Sequence, residues 1–182
     1  LKKSKRVVIP NRVGIERRMK GANNRSRYKH WERDTIVSKK GCRGGLASHQ
    51  ERKSRLVLAR KVWSMSPHEH AAATQYVESI VVMKSTTIDN GFENREHESW
   101  GAPTFCCDPY SSWQKGGIEN ANKMLRAFFP KGTDFSTVSQ KQIDAACDII
   151  NNKPRKILGY RSALEVARKA KLFKHTSVLI QG

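Results

Sequence analysis

The sequence predicts an α/β domain built on a mixed five-stranded sheet flanked by helices. Three observations carry this. Three β-rich runs follow one another through short turns, helical and strand-like segments alternate after them, and 182 residues suffice for one core. Residues 31–37 (Trp31-Glu32-Arg33-Asp34-Thr35-Ile36-Val37) put Trp31, Arg33, Thr35 and Val37 on one side and Glu32, Asp34 and Ile36 on the other, the period of a strand. Gly41-Cys42-Arg43-Gly44-Gly45 is a turn, Leu46 to Gln50 returns as a second strand, and Arg55 to Trp63 gives a third, an antiparallel meander. Ser66, Pro67 and Glu69 then read as the capping box of a helix that continues through Ile80 to Met83. Thr86-Thr87-Ile88 is a short fourth strand ending at Asp89-Asn90-Gly91, residues 92–99 a short helix, and Pro103 to Cys107 the fifth strand. Pro109 to Gly117 is a polar loop. Helices follow over Ile118 to Phe129, stopped before Pro130, over Lys141 to Asn151, with Ile143, Ala146, Cys147 and Ile150 on one face, and over Leu164 to Lys171.

Charge bounds the function. The chain carries 35 Lys and Arg against 16 Asp and Glu, a formal net charge of +19, which favours a polyanion and above all nucleic acid as partner. Residues 1–29 hold eleven cations and one acid, Glu16, without apolar periodicity, and read as an extended basic N-terminal arm. The core is expected over 30–171, with a C-terminal tail over 172–182. No apolar run approaches the roughly 18 residues of a membrane span, so no membrane partner is expected. The N-terminus lacks the apolar stretch of a secretory signal. Four cysteines form no C-x-x-C pair, which favours a reducing cytoplasm and buried thiols. His68 and His70 lie two apart on a helix and face different directions, so no zinc site is expected.

In so basic a chain the placed acids stand out. Asp34 lies mid-strand, Asp89 at a strand end, and Glu119 in the first turn of a helix behind Gly116-Gly117. Singly, each has an ordinary reading: a salt-bridged strand residue, a turn aspartate, an acid suited to the helix dipole. Together, three such carboxylates can hold two hard divalent cations through oxygen ligands. Two ions about 4 Å apart activate a nucleophile and stabilise the leaving oxygen of a phosphodiester.

The motifs around these acids resemble a known family. His30-Trp31-Glu32-Arg33-Asp34-Thr35-Ile36 resembles the first acidic motif of bacterial insertion-sequence transposases with a retroviral-integrase-like core, and Glu51-Arg52-Lys53-Ser54-Arg55 resembles the strand that follows. Thr87-Ile88-Asp89-Asn90-Gly91 is similar to the second acidic motif. The densest match is Cys107-Asp108-Pro109-Tyr110-Ser111-Ser112-Trp113-Gln114-Lys115-Gly116, running into Ile118-Glu119-Asn120-Ala121-Asn122, which is similar to the loop and helix of the third acid. Asn151-Asn152-Lys153-Pro154-Arg155-Lys156, followed by Leu158-Gly159-Tyr160, closes a match over roughly residues 8–167. The chain departs from the family pattern at Lys29, where glycine is usual, at Glu93-Asn94, where Phe usually follows the Glu, and at Ser162-Ala163-Leu164-Glu165, where proline is usual in place of Ala163.

The resemblance implies a ribonuclease-H-like fold in the order three strands, helix, strand, helix, strand, then helices. It implies a D-D-E triad of Asp34, Asp89 and Glu119, 55 and 30 residues apart, holding Mg²⁺ or Mn²⁺, two ions in all. The implied function is a DNA transposase catalytic domain that hydrolyses a phosphodiester at the element ends and transfers the strand. DNA is the partner, in a homo-oligomeric synaptic complex in the bacterial cytoplasm at the nucleoid. Lys123 and Arg126 share a helix face with Glu119 and, with Arg155 and Lys156, would contact phosphates. Trp113 would stack on an end base or pin its loop to the core. The chain opens on Leu1 rather than Met and shows no helix-turn-helix, as expected of a fragment lacking the N-terminal DNA-recognition domain. Two alternatives are a catalytically inactive DNA-binding remnant and a structure-directed nuclease on the same fold.

Overall fold

In a computed structural model, which describes residues 9–175, a 3₁₀ turn (Ile15–Arg17) and one short α-helical turn, α1 (Lys20–Asn23), precede the sheet. The strands are β1 (His30–Val37), β2 (Gly45–Glu51), β3 (Val57–Val62), β4 (Ser85–Ile88) and β5 (Thr104–Cys106), in the spatial order β3-β2-β1-β4-β5. The first three pair antiparallel, as the meander predicts, and β4 and β5 join parallel to β1. Between them runs α2 (Pro67–Ile80); after them come α3 (Gly116–Phe128), α4 (Gln140–Asn152), a small hairpin β6 (Pro154–Arg155) and β7 (Arg161–Ser162), and α5 (Ala163–Lys169). This is the mixed five-stranded sheet flanked by helices that the sequence predicts.

The alternation along β1 decides which layer each residue meets. Trp31 is fully buried with Leu56, Val77, Val81, Ala167 and Leu172, toward α2 and α5. On the opposite face Ile36 packs with Leu46, Val57 and Ala59 of the sheet and with Ile118, Leu125, Ile143 and Ile150 of α3 and α4. Three of the helices, α2, α4 and α5, start on side-chain caps. Ser139 and Gln142 make a reciprocal capping box at α4, and Ser162 and Glu165 make another at α5, which supplies a helix start without the usual proline. At α2 only half of the predicted box forms: Ser66 accepts from the Glu69 amide, but the Glu69 carboxylate turns to the amides of Trp63 and Ser64.

Three expectations are corrected and one element is added. The basic segment is not an extended arm from Ile9 onward. Ile9 and Ile15 are buried, the Cys106 amide donates to the Val13 carbonyl (2.8 Å), and Gly14 forms a bridge beside β5. Two of its arginines are spent on protein acceptors: Arg12 donates to the Cys107 carbonyl (2.8 Å) and Arg18 to Thr87 Oγ1 (3.1 Å). Counting charges could not reveal this, because a guanidinium among carbonyls looks the same in sequence as one in water. Residues 92–99 form two 3₁₀ turns (Phe92–Asn94 and His97–Ser99) rather than one helix, since Asn94 and His97 both turn inward to polar partners. The tail does not leave the core at 172: Leu172 is fully buried and Phe173 bridges to Val81. The hairpin of β6 and β7, closed around Gly159 in the left-handed region, was not expected. Residues 1–8 of the arm and 176–182 of the tail lie outside the described residues. Lys29 adopts φ 77, which accounts for the glycine usual at that position.

Two histidines are fully buried. His49 and His70 are both held below their ordinary value by burial and then by the Arg33 charge, His70 at about 3. They are neutral when folded and take up a proton below pH 6.5 when unfolded, so their contribution is complete above that value and lost as the pH falls from 6.5 toward 3. In urea unfolding the two histidines together are expected to lower stability by up to about 2.7 kcal/mol per pH unit from about pH 6 to pH 5, and His49→Gln should reduce the observed slope by up to about 1.4 kcal/mol per pH unit.

Candidate active site

The parallel register of β1 and β4 brings the first two acids together. Glu32 pairs with Thr87, so Asp34, in the middle of β1, and Asp89, just past the carboxyl end of β4, each two residues further on, emerge side by side. Crevices at such strand ends are where open α/β sheets present ligand groups. A cation already sits between the two carboxylates. Lys115 Nζ lies 3.2 Å from Asp34 Oδ1 and 2.9 Å from Asp89 Oδ2, on a side chain only 6% exposed. Both remaining oxygens are held by amides. Asn122 Nδ2 of α3 donates to Asp34 Oδ2 (2.7 Å) and is itself oriented by Ser48 Oγ (2.7 Å). Asn94 Nδ2 and the Gly91 amide donate to Asp89 Oδ1 (2.9 and 3.0 Å).

Electrostatics follow from this geometry. Burial pushes the Asp89 carboxyl up, but Lys115, the Gly91 amide and Arg33 outweigh it and leave it below its ordinary value. Burial alone would lower Lys115; Asp34 and Asp89 raise it instead, so the ammonium stays charged. Beneath the pair lies Arg33, 1% exposed, bonded to Thr74 Oγ1 (3.2 Å), Asn94 Oδ1 and His70 Nδ1. Burial lowers Arg33 to about 10, partly offset by Glu93, Asp89 and Asp34, so it remains a cation at neutral pH.

Glu119 stands in the first turn of α3, one turn ahead of Asn122, and is half-buried. It makes no hydrogen bond or ion pair among the described residues, and among them no group of three His, Cys, Asp or Glu side chains is close enough to hold a metal. The structure thus brings together two of the three predicted acids and places the third, Glu119, one turn before Asn122 on α3.

Of the other predicted residues, Lys123 and Lys156 are exposed and Trp113 is 73% exposed, which removes its reading as a hydrophobic pin. Arg126 is turned back onto the carbonyls of Phe129, Pro130 and Val37, closing the carboxyl end of α3, and so has fewer donors left for phosphate. Arg155 donates to the Ile150 carbonyl at the end of α4 (3.2 Å). The structure adds Lys115, Arg33, Asn94 and Glu32. Glu32 had a legible signal, since it shares a strand face with Asp34. Its carboxylate accepts from Arg52 Nη1 and from the Ile118 amide (2.7 Å), fixing the start of α3.

This sheet with paired aspartates at its centre defines an integrase-core fold of the ribonuclease-H-like class. The structure superposes on the catalytic core domain of BIV integrase with a TM-score of 0.59 at 18% identity, covering 79% of this chain and 95% of that one. It also matches a chain of the simian T-cell lymphotropic virus intasome in complex with PP2A regulatory subunit B56 gamma, with a TM-score of 0.55 at 17% identity over 67% of this chain and 48% of that one. By sequence the chain is a homologue of insertion-sequence transposases. It is 37% identical over 169 residues to the transposase of element IS1086 from Cupriavidus metallidurans, 34% over 167 residues to that of IS4351 from Bacteroides fragilis, and 32% over 170 residues to InsI of IS30A from Escherichia coli. These alignments cover 89%, 87% and 90% of this chain but 50%, 50% and 44% of the relatives, so the chain spans about half their length. No family model matches it.

Gly117 lets α3 approach this closely: a Cβ there would lie 2.6 Å from Gln50 Oε1 and 2.7 Å from Glu32 Oε2. Gly117→Ala should therefore lower stability by about 1–3 kcal/mol in denaturant unfolding, through displacement of α3.

Proposed function

We propose that the chain is the catalytic domain of an insertion-sequence transposase of the D-D-E type, a polynucleotidyl transferase acting on DNA. The observation that carries this reading is the seating of one cation between Asp34 of β1 and Asp89 just past the end of the neighbouring parallel strand β4. The convergence of their oxygens on the Lys115 ammonium gives the donor set of a hard divalent ion. Asp34 and Asp89 would hold Mg²⁺ or Mn²⁺, with Glu119 completing a site for two ions. Such ions supply an activated nucleophile and stabilise the leaving oxygen of a phosphodiester.

The chain's own residues do the rest. Asn122 and Asn94 keep the aspartates aimed at a common point, so little reorganisation remains once DNA arrives. Lys115 neutralises the pair in the free state and, on the short hinge before Gly116, stays close enough to meet a phosphate oxygen. Trp113 and Tyr110, exposed on the same loop, offer faces for an unpaired base. Lys123, Lys156, Arg155 and the remaining donors of Arg126 face the backbone. Water then cleaves a strand at the element end, and the freed 3′-hydroxyl attacks target DNA. We place this activity in a core over 30–171 with the packed segment before it, acting as a homo-oligomer that synapses two ends in the bacterial cytoplasm, at the nucleoid.

Mn²⁺ titration calorimetry on the wild type and on Asp89→Asn tests the site first. Binding should occur with or without DNA in the wild type and vanish in the variant, while DNA affinity changes less than about threefold. On a supercoiled element-bearing plasmid, Asp89→Asn and Glu119→Gln should lower cleavage and joining by about a thousandfold or more. Folded wild type that recruits no metal even on DNA would leave the inactive remnant; cleavage with no joined product would leave the nuclease.

A further inference from the structure

Away from the acids, three segments converge with more positive charge than the structure compensates. They are the loop after α1, carrying Arg25, the turn between β2 and β3, carrying Arg55, and the junction of α4 and β6, carrying Arg155. Arg52 ties the first to the second by donating to the Ala22 carbonyl (2.8 Å), and Asn151 ties the third to the second by pairing with the Val57 backbone (2.7 and 2.9 Å). The carboxylates in reach are already committed. Glu32 is taken by Arg52 and the Ile118 amide, and Glu51 by the amides of Lys29, Lys53 and Ser54. Arg25 Nε is buried without a hydrogen-bond partner, and Arg25 and Arg55 make no side-chain hydrogen bond among the described residues. Burial, then Arg25, and also Arg52 and Arg155 push Arg55 below its ordinary value, against a rise from Glu32 alone.

Partly buried guanidiniums without partners are costly unless an anion completes them. We infer that Arg25, Arg55 and Arg155 form a seat for a backbone phosphate of DNA, separate from the aspartate pair. The planar fork of arginine suits two phosphate oxygens. The seat borders Glu32, two residues and about 7 Å before Asp34 on the same face of β1. A DNA strand carries one phosphate per about 3.4 Å of axis, so the seat takes a phosphate two or more nucleotides from the reacting one. The inference deepens the proposed function by naming where the strand is gripped.

The test compares wild type with Arg25→Gln/Arg55→Gln, using a short DNA duplex at several salt concentrations, thermal unfolding, and Mn²⁺ titration. DNA affinity should fall about tenfold per arginine, and the log–log salt slope should shrink by about 0.9 for each phosphate that the variant no longer neutralises. The melting temperature should hold or rise, because mutually repelling charges are removed, and Mn²⁺ binding should be unchanged. Unaltered affinity and slope would overturn the seat, as would a lower melting temperature accompanying weaker binding, which marks a structural role. Inorganic phosphate that raises the melting temperature of the wild type only, without any change in DNA affinity in the variant, would also overturn it as a DNA site. The proposed catalysis fails separately, if Asp89→Asn still cleaves.

Discussion

The site depends on one buried carboxylate that does no chemistry. Glu32, fully buried on β1, accepts the Ile118 amide at the start of α3 and the Arg52 guanidinium at once. An isolated carboxylate there would be untenable; with a helix amide on one oxygen and an arginine on the other it becomes a rivet between sheet and helix. Because α3 is fixed at that point, Asn122 reaches Asp34 and Lys115 arrives between the two aspartates.

Charge in this protein is organised by depth rather than by sum. Arg33 lies under the aspartates and polarises Asp89 through Asn94, while Lys115 lies between the two. Arg18 and Arg52 tie the segment before β1 to the sheet and helix through carbonyls and hydroxyls. The formal charge of +19 therefore overstates what is free for a polyanion. Part of it is internal framework.

What was legible in the sequence was whatever periodicity and local punctuation control. The strand alternation around Asp34, the turn at Asp89-Asn90-Gly91 and the caps at Ser66 and before Pro130 all led to elements within a few residues of those observed. Asp34 and Asp89 were legible as a pair because both occupy strand positions whose neighbours announce them. Lys115 was not, since a lysine in a polar loop looks solvated until the loop is folded back over the sheet. Arg33 was hidden for the opposite reason: a charged residue in a strand reads as surface, and only the packing of α2 over β1 encloses it. The packing of the segment before β1 is not legible in sequence because Arg12 and Arg18 meet a hydroxyl and carbonyls 69 to 96 residues away, a distance no local pattern spans.

The pairing of β1 with β4 also sets which changes of length a lineage of such chains can absorb. The loop of residues 38–44 lies outside the strand segments that carry the aspartates, and insertions there would be taken up at the surface. Between Glu32 and Asp34, or between Thr87 and Asp89, one added or lost residue would turn the carboxylate through the sheet toward the layer of α2. Two intervals of a few residues are thus closed to insertion and deletion, whereas the spacing between the acids can drift.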